Sequence, residues 1–407
     1  MVLDEAPQER NGTIFPRGFT EENVRFELVR AGDIVTLNYG KSLVESVRTA
    51  GTVPVYGTNG RCGWNGRAMA EGPTVILGRK GMGPLGVEWV EGPFWVIDTA
   101  YYVTPKRLDV NISYLYYLTK YIGLNHLKDG TSNPSLSRDT FYAQLLPLPT
   151  YDEQRKVASL FRALDDKINL NRRMNDSLKA IARALFFDWF NKTRGQATTS
   201  VIENLIERGV LAVGDGYRAK RSELSDHGLP FARAGNLKND FDFTDAEQLG
   251  QEGIVAAGQK IAKQFDVALT SKGSVGRLAQ VTRSTPKFVY SPQLCYWRVL
   301  NPALLNPHVL FQWMKGPEFQ QQLDAVKGQT DMADYVSLSD QRRMKMTLPG
   351  IEEQQRIGSR LEPLYGMIDS NTGQNATLAS LRDTLLPKLL SGELRVKDAE
   401  KMVEAEA

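Results

Sequence analysis

The chain has 407 residues, 42% hydrophobic and 24% charged, which is ordinary for a globular protein of two or three domains. It contains no run of 18 apolar residues and its first residues are polar, so we expect a cytoplasmic protein without a signal peptide or a membrane span. A net charge of +3 provides no general attraction to nucleic acid, so any such binding would depend on local clusters.

Residues 1–150 predict a first globular domain. The segment 1–22 is expected to be a flexible leader. From Val24 onwards, short apolar runs such as GDIVTL, PTVIL and FWVIDTAYYV are bounded by Gly, Pro and Asn, which is typical of short strands joined by loops. One helix is predicted at 112–121.

The segment 151–195 predicts a long helix, because apolar residues recur at alternating steps of four and three. Its seam consists of Val157, Phe161, Leu164, Ile168, Asn171, Asn175, Leu178, Ala182, Leu185 and Trp189. The seam returns 200 positions later in 348–395, where Pro363, Gly373 and Arg382 are expected to kink, weaken and interrupt it. This spacing favours a coiled coil, but two amphipathic helices that each pack on their own domain remain an alternative.

Two asparagines interrupt both seams at matching positions. If the helices pair antiparallel, Asn171 and Asn175 face Asn375 and Asn371 across a polar layer that fixes the register. A helix of about 36 residues is roughly 54 Å long, so the pair is expected to act as a spacer.

Residues 196–347 predict a second globular domain that repeats the first. The strand before Lys80-Gly81 matches the strand before Lys272-Gly273 at an offset of 192, and the offset rises to 200 at the helices. We therefore predict an α+β protein with a pseudo-two-fold internal repeat, in which two similar α/β domains are separated by two long helices forming an antiparallel coiled coil. Residues 396–407 are expected to be a frayed acidic tail.

The residues do not indicate catalysis. Gly40-Lys41-Ser42 lacks the glycine that a phosphate-binding loop needs, because that position is Val35. The three histidines have no partner at catalytic spacing, and the two cysteines have no histidine at metal-ligand spacing. Asp98 is better explained as a turn residue. We therefore predict neither a catalytic nor a metal site, although an enzyme with an unrecognised site remains a hypothesis.

Glycine-flanked turns with basic and polar residues are the remaining candidates for a binding role. Glycine lets backbone amides approach a phosphate, Lys and Arg neutralise it, and Asn, Gln or Arg can contact a base edge. The candidates in these turns are Tyr39, Lys41, Ser42, Tyr56, Thr58, Asn59, Arg79, Lys80, Arg233, Asn236, Ser271, Lys272, Ser274 and Arg277. Solvated turns without a ligand are the alternative.

The order of these strings resembles the specificity subunit of Type I restriction-modification systems. The first domain carries YGKSLVESVRTAGTVPVYGTNG, GRKGMGPLG and FWVIDTAYYV; the second carries FARAGNL, TSKGSVGRLA and VYSPQLCYWRV. The last string adds Ser291 and Gln293 to the candidate DNA contacts. The helix entries PLPTYDEQRKV and LPGIEEQQRI are similar to the Leu-Pro then Glu-Gln opening of that family.

The resemblance implies a non-catalytic DNA-specificity subunit of an adenine-N6 methyltransferase/endonuclease complex. Each target-recognition domain would read one half of a bipartite double-stranded DNA target, and the helices would set the spacer and dock the partners. The expected partners are two methyltransferase subunits and optionally two restriction subunits. S-adenosylmethionine, and ATP with Mg²⁺ if restriction subunits exist, would be bound by partners and no cofactor by this chain. The rival from another class is a two-module scaffold on a coiled-coil rod that binds protein or glycan.

Overall fold

The computed structural model of the chain describes residues 9–10, 13–14, 18–20, 22–238, 240–327 and 334–406. The chain forms two compact units: unit 1 comprises residues 1–169 and 375–407, and unit 2 comprises residues 170–374. Most of the predicted leader lies outside the described residues, although Phe19 is buried in the core of unit 1.

The first part of the chain contains twelve described strands and four described helices. The strands are β1 (Glu9–Arg10), β2 (Thr13–Ile14), β3 (Leu28–Arg30), β4 (Val35–Tyr39), β5 (Val53–Gly57), β6 (Gly60–Asn65), β7 (Ala70–Glu71), β8 (Thr74–Gly78), β9 (Val87–Val90), β10 (Pro93–Val96), β11 (Ala100–Pro105) and β12 (Leu145–Pro147). The helices are α1 (Ala31–Ile34), α2 (Ile112–Ile122), α3 (Arg138–Tyr142) and α4 (Tyr151–Thr193). The helix predicted at 112–121 is therefore confirmed to within one residue.

The rest of the chain repeats the order of the elements from β3 to α4 and adds three further described helices. Its strands are β13 (Thr198–Val201), β14 (Leu211–Asp215), β15 (Leu224–Ser225), β16 (Leu229–Ala232), β17 (Gln248–Leu249), β18 (Val267–Thr270), β19 (Leu278–Gln280), β20 (Val289–Tyr290), β21 (Leu294–Val299) and β22 (Lys345–Leu348). Its helices are α5 (Ile202–Glu207), α6 (Gln251–Ala257), α7 (Pro307–Met314), α8 (Pro317–Val326), α9 (Leu338–Arg343), α10 (Ile351–Ser391) and α11 (Val396–Glu406).

The internal repeat is visible in the sheets. Unit 1 contains a sheet of order β4-β11-β8-β9, and unit 2 contains the matching sheet β14-β21-β18-β19. A second sheet follows in each unit, β6-β5-β10-β7 and β15-β17-β16-β20, and each of these has one parallel pair, β5 with β10 and β16 with β20. The predicted α+β class and the internal repeat are confirmed.

Local sequence explains why the same elements form twice. All five residues of β8 and all four of β18 are buried, as their unbroken runs of small and apolar residues predict. Asn111 caps α2 by accepting a hydrogen bond from the Tyr114 backbone N–H. Asn306 caps α7 in the same way, and Pro307 occupies the first turn of that helix. Equivalent signals therefore start equivalent helices in the two units.

The long helices pack against each other inside each unit. In unit 1 the start of α4 buries Phe161 and Leu164 together with Leu385 and Leu389 from the end of α10. In unit 2 the end of α4 buries Ala182, Phe186 and Trp189, and the start of α10 buries Ile357 and Leu361 in the same core. In both units, therefore, the start of one long helix packs against the end of the other, as the predicted antiparallel coiled coil requires.

The expected interruptions do not break α10. The helix is continuous from Ile351 to Ser391 through the exposed Pro363 and through Gly373. Arg382, expected to interrupt the seam, is half-buried, and its Nη1 lies 2.8 Å from Asp165 Oδ1 on α4. An ion pair thus replaces an apolar contact in this layer.

The prediction of a frayed tail at 396–407 was wrong. Residues Val396–Glu406 form α11, in which Ala399 is fully buried and Val396 and Val403 pack against the core of unit 1. These apolar positions are three and four residues apart, which places them on one helix face. The many charged residues between them concealed the pattern. Of the helices that the structure describes, none is long and apolar enough to cross a membrane.

Candidate nucleic-acid interface

The candidate residues of unit 1 meet at one rim, where several strands end. Tyr39 ends β4 opposite Tyr101 at the start of β11, and Gly78 ends β8 opposite Ala100. The parallel strand β5 brings Tyr56 to the same place, because the Ile97 backbone N–H donates to the Tyr56 carbonyl oxygen. The turn between β10 and β11 is therefore the centre of the rim.

A tight backbone contact explains the glycine of the Gly40-Lys41-Ser42 turn. A Cβ at Gly40 would lie 2.0 Å from the Ile97 carbonyl oxygen, and a Cβ at Gly216 in unit 2 would lie 2.0 Å from the Ser291 carbonyl oxygen. The glycine thus serves close packing in both units. Lys41 and Ser42 follow it with exposed side chains.

The turns at Lys80-Gly81 and Lys272-Gly273 have glycine at positive φ and make matching backbone hydrogen bonds. Gly81 has φ +137° and Gly273 has φ +74°, which explains glycine at both places. The Gly81 N–H donates to the Pro134 carbonyl oxygen, and the Gly273 N–H donates to the Asp334 carbonyl oxygen, each at 3.1 Å. The predicted correspondence of these turns is confirmed.

The two lysines of these turns have different surroundings. Lys80 Nζ donates to Asp98 Oδ2 at 3.0 Å, so a carboxylate already neutralises much of its charge. Lys272 is exposed and lies over the Tyr335 ring at 5.0 Å, and it makes no ion pair with any described residue. Lys272 is therefore the more available of the two cations.

A second basic feature of unit 1 involves a residue that the sequence did not single out. Arg79 lies over the ring of Tyr39 at 4.8 Å, and Arg138, the first residue of α3, lies over the same ring at 3.9 Å. Tyr101 packs beside Tyr39 at 5.1 Å between ring centroids. Burial, followed by a hydrogen bond with Tyr39, raises the pKa of Tyr101 to about 12, so Tyr101 is neutral at physiological pH.

Two other candidates of unit 1 support the rim. Thr58 Oγ1 donates to the Lys80 carbonyl oxygen at 2.7 Å, which ties the β5–β6 turn to the lysine turn. Tyr56 is half-buried, and burial followed by the charge of Glu88 raises its pKa. Asn59 is exposed beside them. Lys128, which the sequence did not indicate, donates to the Gly83 carbonyl oxygen at 3.1 Å and holds the loop after Lys80.

Most polar candidates of unit 2 are used inside the fold. Asn236 Nδ2 donates to the Asp242 carbonyl oxygen at 3.0 Å, and Gln293 Oε1 accepts from the Ala234 N–H at 3.0 Å. Ser271 and Ser291 are each only 2% exposed. These four side chains shape the turns, and their predicted contacts with DNA stay predictions.

The remaining candidates of unit 2 are charged or exposed. Arg233 pairs with Glu247 but leaves about half of its side chain exposed. Arg277 is exposed, and its Nη1 donates to the Leu237 carbonyl oxygen at 3.2 Å. Ser274 is exposed in the loop after Lys272. With Lys272, these residues form the accessible rim of unit 2.

The asparagine layer contains direct hydrogen bonds within unit 2. Asn371 Nδ2 donates to Asn175 Oδ1 at 2.8 Å, and Asn171 Nδ2 donates to Gln374 Oε1 at 2.8 Å. Asn375 belongs to unit 1, and its predicted pairing with Asn171 stays a prediction, as does the role of the layer in fixing register.

Within the described residues, no group of three or more His, Cys, Asp or Glu side chains is arranged to hold a metal ion. His308 is buried and stacks on Tyr365 with 4.7 Å between ring centroids, and burial lowers its pKa. It therefore contributes to the core as a neutral ring.

Comparison with known proteins gives a consistent result. Residues 23–180 and 208–380 match the family model for the Type I restriction modification DNA specificity domain. The Type I restriction enzyme MjaIX specificity subunit of Methanocaldococcus jannaschii is 27% identical over 352 residues, covering 82% of this chain and 80% of that one. The MjaVIII specificity subunit of the same organism is 22% identical over 351 residues, covering 82% and 79%. The S subunit crystal structure from M. genitalium has a similar fold, with a TM-score of 0.60, 15% identity and coverage of 92% of this chain and 98% of that one.

Proposed function

Because this chain belongs to the family of Type I restriction-modification DNA specificity subunits, we propose that each of its units reads one half of a bipartite double-stranded DNA target. The observation that carries the proposal is the repeated rim: one backbone frame presents a glycine-flanked lysine turn in unit 1 and again in unit 2. A protein that holds two versions of one binding surface is suited to a target with two different halves.

The differences between the rims support two distinct half-sites. Unit 1 presents an aromatic and arginine-rich rim around Tyr39, whereas unit 2 presents Lys272 beside Tyr335. Backbone phosphates can be held by such cations, and exposed polar side chains such as Asn59 can reach base edges in the major groove. The shared frame would position each unit, and the differing loops would select the bases.

The paired helices are proposed to set the distance between the half-sites and to dock the other subunits. Both helices expose long polar faces in addition to the seam that they bury, which leaves surface for partner helices. The proposed partners are two methyltransferase subunits, which would bind S-adenosylmethionine and methylate adenine at N6. Two restriction subunits that use ATP and Mg²⁺ are a further optional pair.

We propose that the chain itself catalyses nothing, binds no cofactor and acts in the cytoplasm. It would supply the sequence specificity of the complex, and its partners would catalyse the reactions. Purified chain without a methyltransferase subunit should therefore transfer no methyl group from S-adenosylmethionine to DNA.

The direct test is selection of bound duplexes from a randomised library by the full-length chain assembled with its methyltransferase subunits. We expect two short conserved half-sites separated by an unread spacer of fixed length, with affinity that falls as salt rises. Recovery of a single uninterrupted site would contradict the assignment of one half to each unit. Absence of any salt-dependent binding to duplex DNA would instead favour the protein- or glycan-binding scaffold.

A further inference from the structure

Unit 1 holds two arginines against one exposed tyrosine. Tyr39 is 45% exposed at the end of β4, and Arg79 and Arg138 lie over its ring. Arg79 also lies over Tyr101 at 5.6 Å. A guanidinium is planar and stacks well on an aromatic ring, so the tyrosines order both side chains before any ligand arrives.

The positive charge of this cluster is not balanced within the described part of the chain, where neither arginine takes part in an ion pair. Arg79 Nη1 donates to the Asp98 carbonyl oxygen at 3.0 Å, and Arg138 Nε is buried without a hydrogen-bond partner. A buried donor without a partner is costly, and two like charges beside one ring repel each other. An anion bound beside both guanidiniums would relieve the repulsion between them.

The cluster does not belong to the frame that the units share. At the three corresponding places in unit 2 stand Asp215, Ser271 and Leu338. Asp215 accepts from Lys260 Nζ at 2.9 Å, so that corner of unit 2 is neutral. The arginine pair is therefore an addition to unit 1 that folding of the shared frame does not require.

We propose that Arg79 and Arg138 form a clamp for one DNA backbone phosphate, with Tyr39 as its platform. The clamp rests on the proposed function and refines it for one half-site. Paired guanidiniums present forked N–H donors that match phosphate oxygens. Such a contact fixes the position of unit 1 on its half-site without reading a base. Unit 2 has no equivalent clamp, so the two half-sites would differ in their dependence on phosphate contacts.

The first test uses the selected duplex and the full-length assembly. Arg79→Gln and Arg138→Gln should each weaken binding, and the variant that carries both changes should weaken it by about eightfold at about 0.1 M salt and make the slope of log K against log salt shallower by about one unit, because one phosphate is no longer neutralised. Arg138→Lys should restore the slope. The control is Arg107→Gln: Arg107 pairs with Asp109 beyond the far end of β11 and should leave affinity and slope unchanged. An unchanged slope in the variant that carries both clamp changes, with intact DNA binding, would overturn the clamp alone.

The second test alters the charge of the DNA instead of the protein. Single phosphates of the duplex are replaced by neutral methylphosphonates, and exchange of residues 201–347 identifies which half-site belongs to unit 1. Wild-type protein should be most sensitive at one phosphate of that half-site, and Arg138→Gln should be insensitive at the same position. Equal sensitivity of wild type and variant there, or no sensitive phosphate in that half-site, would overturn the proposal. Failure to select any duplex would instead refute the proposed function.

Discussion

Lys80 and Lys272 occupy the same turn in the two units, but among the described residues only Lys80 has a carboxylate partner. Asp98 lies 3.0 Å from Lys80 Nζ, whereas Pro292 stands at the corresponding place in unit 2 and leaves Lys272 exposed over Tyr335. The backbone of the lysine turn is therefore repeated in both units, but the charges around the lysine are not. A repeated turn therefore indicates where a ligand is expected, whereas its neighbours determine how strongly the turn can hold it.

The interiors of the units differ in the same manner. Unit 2 buries an ion pair between Asp266 and Arg298, in which Arg298 Nε lies 2.7 Å from Asp266 Oδ1 and Tyr290 also donates to the carboxylate. Unit 1 has Thr74 and Thr104 at the corresponding places. Equivalent frames can thus be stabilised by different chemistry.

The largest effect on stability is expected from breaking the buried ion pair between Asp266 and Arg298 in unit 2. Asp266→Asn should lower the free energy of unfolding of unit 2 by about 3–5 kcal/mol, because it leaves the buried Arg298 without its counter-charge. Chemical denaturation would measure it. Asp109→Asn is the matched control in unit 1: its pair with Arg107 is exposed and should change nothing measurable. Equal losses of stability in the two variants would mean that burial does not determine how much each ion pair stabilises its unit.

Two corresponding lysines, one in the last turn of α2 and one directly after α7, provide a smaller contrast. Lys315, which directly follows α7, is half-buried, and burial, followed by the charge of Lys179, lowers its pKa from 10.5 to about 8. Its counterpart Lys120 in α2 is exposed and donates to the Tyr116 hydroxyl. Lys315→Met should therefore stabilise unit 2 by about 1–2 kcal/mol at pH 7, whereas Lys120→Met should not stabilise unit 1.

The pH dependence gives this contrast a sign. Between pH 8 and 10.5 folded Lys315 binds fewer protons than the unfolded chain, so its contribution to the free energy of unfolding becomes more favourable as pH rises. The advantage of Lys315→Met should be greatest below pH 8 and should shrink towards pH 10.5. Denaturation of both proteins across this range would check it, and a constant difference would contradict it.

The smallest effect is expected at the lysine turns. Lys272→Ala should weaken DNA binding by about eightfold at about 0.1 M salt and make the salt slope shallower by about one unit, because an exposed cation is lost. Lys80→Ala should weaken DNA binding less than Lys272→Ala does, since Asp98 already neutralises Lys80. In an Asp98→Asn background the two alanine changes should become similar. Equal losses in the wild-type background would show that Asp98 does not mask Lys80.

These contrasts show what the sequence could and could not predict. The repeat was predictable because glycines, buried strands and helix caps recur at a nearly constant offset. Arg138 was not, because a lone arginine at the start of a five-residue helix carries no pattern, and Tyr39 is distant in the sequence. Asn236 and Gln293 hydrogen-bond backbone groups of the fold, which no sequence spacing reveals, and their predicted contact with DNA stays a prediction.

The central claim, that each unit reads its own half of the target, is tested most directly by exchanging residues 201–347 for the second domain of another family member. Target selection with the chimera should return a new sequence in one half-site, an unchanged sequence in the other and the same spacer, because the unit 1 rim and both helices are retained. Changes in both half-sites would contradict the account.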